Sequence, residues 1–246
     1  MANENTPEYV KALYDHAVGV SRGADMVYAA RLLERLADLG DPFYTAFALA
    51  MLEQTYKRLG REDLVERTLK RVTDLPKNQQ LLLNPAWVAS CYQRTGDLKT
   101  AKEILAAITQ LAPEEPLAAG ALAEIALAEG RYDQAYVLSE PLRHRPEPPL
   151  QILGRTVGAL ALIFQGLNDE AAKELSWVAQ FLISSGGIPS GPWDYRDLQK
   201  LMTKAMGATV AAAQVLLNAL TGKVSIADFA QQWGAVTPSL QAATKT

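Results

Sequence analysis

Few side chains in this 246-residue chain could do chemistry, since it holds two histidines and one cysteine. His16 follows Asp15, an acid/base pair on paper, but neighbours in sequence do not face each other on a helix, so His16 is expected as a partly exposed helix residue. His144 stands between Arg143 and Arg145 in LRHRPEPPL, where the three could grip an anion. The prolines around them favour a stiffened loop between repeats instead. Cys91 precedes Tyr92 with no base beside it and is expected to pack as a small apolar group. A single cysteine excludes an intrachain disulfide, and with two histidines it cannot build a cysteine-rich zinc site. No phosphate loop, zinc motif or glycine-rich nucleotide fingerprint occurs. The expectation is a non-enzymatic protein without cofactor or metal.

Other residues bear on partners. Of Trp87, Trp177, Trp193 and Trp233, only Trp87 is a candidate for a ligand surface; the others fall at core or helix-start spacing. Lys plus Arg number 24 against 27 Asp plus Glu, and a net charge of −3 supplies no field for a polyanion, so nucleic acid is not expected as a partner. The longest alanine-rich stretch, 207–220, is broken by Thr209, Gln214 and Asn218 and is too short to span a bilayer. The opening MANENTPEYVKALYDH lacks the basic and apolar regions of a secretory signal, which predicts a soluble, cytoplasmic protein.

The elements that must position these residues are helices. Alternating β-branched runs are nearly absent while apolar residues recur at helical spacing, so the predicted class is all-α. RTGDLKTAKEIL, AEGRYDQAYVLS and FQGLNDEAAKEL align residue for residue, placing Gly96, Gly130 and Gly166 at spacings of 34 and 36. RLGREDLVERTL, around Gly60, is a weaker copy, and SRGADMVYAARLL, around Gly23, fits if its turn holds one more residue, making about five units. In each unit a glycine able to take the left-handed conformation ends one helix, and a second helix follows. Ala101, Ala135 and Ala171 on the second helix face Ala89, Ala123 and Ala159 on the first, small residues that let the pair approach closely. Pro113 and Pro146 stop the second helices. A hairpin cannot bury its apolar face alone, so stacking into a right-handed superhelical solenoid is expected.

Period, glycine, small-residue pair and terminal proline together resemble the tetratricopeptide repeat (TPR) family. The match is good over residues 82–183 and poorer upstream, where Glu53 and Val65 stand at positions the motif fills with small residues and Ala17 and Ala29 require a register slip. In that family ligands are held mainly by the first helix of each unit, along a concave groove. The resemblance therefore implies a partner-binding lining of Ala50, Gln54 and Lys57, then Ala86, Ser90 and Gln93, then Gly120, Glu124 and Leu127, and finally Thr156, Leu160 and Ile163. The family's carboxylate clamp is not reproduced, because Leu13 or Tyr14 and Ala17 or Val18 stand at its first Lys and Asn positions.

The repeat pattern stops at SSGGIPSGPWD. The expected organisation is a repeat domain over 1–183, a Gly/Pro-rich linker over 184–194, C-terminal capping helices over 195–235 and a disordered tail over 236–246. Asp194 is expected to cap one long helix running to about Thr221, with a Trp193 to Leu198 staple, and Ser225 with Asp228 to open a short helix ending near Trp233. A small, increasingly apolar lining suits an apolar helix or an extended protein segment. The implied function is an adaptor or assembly chaperone holding such a segment. The alternatives are a homo-oligomeric scaffold joined through repeat ends and C-terminal helix, and a regulator sensing a peptide or small ligand.

Overall fold

The computed structural model describes residues 6–23, 25–113, 115–189, 193–204 and 207–243. Among these there is no strand. The chain divides into two compact units, Met1–Leu111 and Ala112–Thr246.

The first unit holds α1 (Pro7–Ser21), α2 (Met26–Asp38), α3 (Pro42–Arg58), α4 (Glu62–Asp74), the single turn α5 (Lys77–Gln80), α6 (Pro85–Arg94) and α7 (Leu98–Leu111). Helices α1 to α4 each pack on the next, α4 packs on α6, and α6 on α7. The short α5 is held by Gln80, whose side-chain amide donates to the Val72, Thr73 and Leu75 carbonyls and to the Tyr92 hydroxyl, closing the end of α4.

The second unit holds α8 (Pro116–Ala128), α9 (Tyr132–Arg143), α10 (Pro148–Phe164), α11 (Asn168–Ser185), α12 (Arg196–Leu201), a 3-10 turn (Met202–Lys204), α13 (Ala208–Leu220) and α14 (Ile226–Ala243). Its core runs from Ala123 to Leu182 and continues from Tyr195 to Leu240 as one cluster, so the segments on both sides of the expected linker share a single apolar interior.

The hairpin turns follow the glycines. Gly96, Gly130 and Gly166 have φ of 94°, 76° and 79°, as does Gly60 at 66°. The amide after each glycine reaches back across the turn: Arg61 to Tyr56, Asp97 to Tyr92, Arg131 to Ala126 and Leu167 to Leu162, at 2.8 to 3.0 Å. This bond, with the glycine's own, satisfies the last carbonyls of the first helix. The same closure recurs at Gly222 between α13 and α14, where Lys223 reaches Asn218 at 2.9 Å. All six alanines of the small-residue pairs are fully buried, and so are Ala17 and Ala29, but Gly23, expected to close the first hairpin in the left-handed conformation, does not have a positive φ.

The C-terminal region departs from expectation in two ways. The single helix expected from Asp194 to Thr221 is divided: α12 passes into the 3-10 turn, and α13 starts anew after Gly207, whose φ of 125° no helix accommodates. Ala205 and Met206, within the span of that expected helix, lie outside the described residues. The short helix expected to end near Trp233 runs on as α14 through Pro238 to Ala243. Proline forfeits one helical hydrogen bond there, but Leu240 becomes buried, and that burial holds the last turns against the core. Of the expected tail, residues 244–246 lie outside the described residues. The cap of α14 is as expected, with the Asp228 amide donating to Ser225 Oγ at 3.1 Å and the hydroxyl donating to Asp228 Oδ2 at 2.6 Å.

Candidate functional site

In the first unit the first helix of each hairpin starts at a proline behind a capping side chain. Thr6 caps α1, Asp41 caps α3 and Asn84 caps α6, each accepting from a backbone amide of the first turn. This fixes the side-chain register along three helices, of which α1 packs on α3 and α3 reaches α6 through an ion pair. Tyr14 of α1 lies against Tyr44 and Phe47 of α3, with ring centroids 5.2 and 6.3 Å away. Phe43 closes the group, 4.8 Å from Phe47, and keeps 47% of its surface exposed. Further along, Glu53 of α3 meets Arg94 of α6 at 3.5 Å.

The expected contact residues of this unit are mostly accessible. Gln54 is exposed, and Ala50, Lys57, Ser90 and Gln93 are partly exposed, while Ala86 is buried. Two of them are tied to the buried Glu53: Lys57 Nζ lies 2.6 Å from its carboxylate, and Gln54 donates to it at 2.8 Å. Glu53 stands where the repeat pattern calls for a small residue, and at 2% exposure its charge is matched by Lys57 and Arg94. Buried charge is tolerated only with such partners. The face therefore offers an aromatic ledge, small residues and neutral polar tips. Sequence reasoning missed the ledge, although Phe43, Tyr44 and Phe47 at one-turn spacing behind Asp-Pro were its signal.

The second unit corrects the expected lining. Gly120, Glu124, Leu127, Thr156, Leu160 and Ile163 are all buried, so none presents an open surface to a partner. A Cβ on Gly120 would lie 3.3 Å from the Trp193 ring and 2.8 Å from Leu153. Trp193 thus covers α8 at the position assigned to a ligand, and Leu160 belongs to the core cluster that α13 also enters. Trp193 is more than a helix staple. Asp194 accepts from the Arg196 amide at 3.2 Å and pairs with its guanidinium at 2.8 Å, which holds the entry to α12 in place.

The residues with chemical potential do not converge. His16 Nε2 lies 3.2 Å from the Tyr28 hydroxyl, while Asp15 pairs with Lys11, so the histidine and aspartate go separate ways. The LRHRP triplet also splits. Arg143 turns inward, donating to the Tyr136 hydroxyl at 2.9 Å and to Glu174 at 3.2 Å, whereas His144 is exposed and Arg145 lies 3.7 Å from Glu147. Arg155 reaches the same Glu174 at 2.7 Å while lying over the Trp177 ring, which gives that tryptophan a packing role. Trp233 is buried beside Phe229, and Trp87 is only partly exposed. Cys91 is fully buried; burial pushes its thiol pKa up, and the nearby Glu53 charge adds to the effect. Among the described residues no cluster of His, Cys, Asp or Glu is suited to hold a metal, and no helix is long and apolar enough to cross a membrane.

The fold and this face define an all-α protein built of packed helix hairpins. No family model matches the chain, and no curated protein matches it either.

Proposed function

We propose that the chain is a TPR-like repeat protein that acts in the cytoplasm as a non-enzymatic adaptor or assembly chaperone, holding an apolar partner segment. In this reading the hairpins stack as a right-handed superhelix and the partner lies on the face of α1, α3 and α6. The observation that carries it is the contrast between equivalent positions: in the first unit all but Ala86 remain accessible, and α3 also carries the aromatic ledge, whereas all of those of the second unit are buried. An exposed Phe43 backed by partly buried aromatic rings suits an anchor contact, because aromatic side chains bury large apolar area at little entropic cost. Few free charges line the face, so binding is expected to depend weakly on salt.

The test is a titration of the partner recovered from the native source against the full chain and an Ala50→Arg, Gln54→Arg double variant. Both sites are accessible, so the variant should keep the parent's melting temperature and lose affinity by about tenfold or more. A folded double variant that binds as tightly as the parent removes this face from the function.

A further inference from the structure

A cavity of about 270 Å³ lies within the second unit, lined by Leu117 of α8, Leu150 and Leu153 of α10, Leu220 of α13, and by Trp193 and Tyr195. A dry apolar cavity of about 150 Å³ is enough to take up benzene, so this one has room for a substituted ring. Its wall carries an unpaired polar group. Tyr195 is 7% exposed, and its hydroxyl forms no hydrogen bond with the described residues. The indole N–H of Trp193, on the same wall, is fully buried without an acceptor among them. Buried donors are ordinarily satisfied, and an orphan on the wall of a cavity marks what the site lacks. Burial, reinforced by the Glu124 charge, raises the Tyr195 pKa, so the phenol remains a donor across the physiological range. The same Glu124 charge disfavours an anion beside it.

We propose that this cavity is a binding site for a small neutral organic molecule, with an apolar body of about ten non-hydrogen atoms and one hydrogen-bond acceptor directed at Tyr195. A ketone, ester or amide on a ring or short branched chain meets these requirements. A carboxylate does not, and a pure hydrocarbon leaves the phenol unpaired. The site lies in the second unit, separate from the face of α1, α3 and α6, so either proposal can fail without the other.

Ligand-observed NMR and calorimetry on the full chain test it with acetophenone as the probe, ethylbenzene as the isostere without an acceptor, and benzoate as the anion. Acetophenone should bind about fivefold more tightly than ethylbenzene, with benzoate weakest. Tyr195→Phe keeps the shape and removes the donor; it should lower acetophenone affinity to the ethylbenzene level and leave ethylbenzene unchanged. Leu117→Trp, at the partly exposed rim, should fill the space and abolish both. Absence of binding, equal binding of acetophenone and ethylbenzene, or a Tyr195→Phe variant that retains the preference would overturn the proposal. Should Tyr195→Phe fail to fold, the Leu117→Trp arm decides: binding that survives it lies outside the cavity.

Discussion

At Gly154 two backbones approach closely, and its requirement is steric. A Cβ there would lie 2.6 Å from Leu142 Cβ, 2.8 Å from the Arg143 amide nitrogen and 2.9 Å from the Ser139 carbonyl oxygen. Main-chain atoms of α9 cannot swing aside as a side-chain tip can, so Gly154→Ala should destabilise by about 1 to 3 kcal/mol. Urea denaturation measures this, and a loss below about 0.5 kcal/mol would show that α9 and α10 are not so closely packed. Cys91 offers a chemical counterpart. Its buried thiol, with a raised pKa, should resist a thiol reagent at mildly alkaline pH and react only when the first unit unfolds. Rapid labelling of native protein would contradict that burial.

At the scale of elements the hairpin turns carry the repeat. Around Gly130 there is open space, the nearest atoms to an added Cβ being those of Tyr132 at 3.8 and 3.9 Å, so its requirement is its φ of 76° alone. Gly130→Val should cost about 1 to 3 kcal/mol through backbone strain, read from chemical denaturation. An unchanged stability would mean that α8 need not end there. The starts of the first helices are equally regular. Pro7, Pro42, Pro85, Pro116 and Pro148 each open one, in the dipeptides Thr-Pro, Asp-Pro, Asn-Pro, Glu-Pro and again Glu-Pro. Proline fits there because its missing N–H would have had no intrahelical partner. At the far end of the chain, Leu240→Ala should cost about 2 to 4 kcal/mol if α14 is docked to its last turn. A disordered tail would lose nothing, and thermal melting separates the two outcomes.

At the scale of the molecule, the apolar cluster from Ala123 to Leu240 lies entirely within the second unit. Residues 112–246 expressed alone should therefore fold cooperatively, with a helical circular dichroism spectrum and a single sharp melting transition. A broad, non-cooperative melt would show that this unit depends on the first. Truncation at Ile183 should fail the same test, since it removes α12 to α14 from that shared core. Glu124→Arg tests the correction to the lining: at 6% exposure Glu124 lies in the interior, so a bulkier side chain of opposite charge should destabilise the fold rather than act on an accessible contact.

The sequence by itself determined what depends on neighbours a few places away. A glycine at a period of 34 to 36, an alanine five places after it and another seven before it specify a left-handed helix stop and two close-packed helices, and Gly96, Gly130 and Gly166 stand at positive φ with their alanines buried. These signals are local because caps and turns are made by atoms of adjacent residues. Only the tertiary structure decided which first-helix positions stay open. Gly120 and Glu124 have the composition of a groove, but Trp193, far along the chain, lies on α8 and takes the space, while Ala50 and Gln54 keep theirs. Tertiary structure also decided the fate of the C-terminus. Helical periodicity from Leu198 to Leu220 promised one continuous helix, yet Gly207 breaks it, and Leu240 draws a proline-bearing tail into a final helix. The physical reason is common to these cases: burial is a property of surfaces brought together from distant parts of the chain, and local periodicity records that a face is apolar without recording what will cover it.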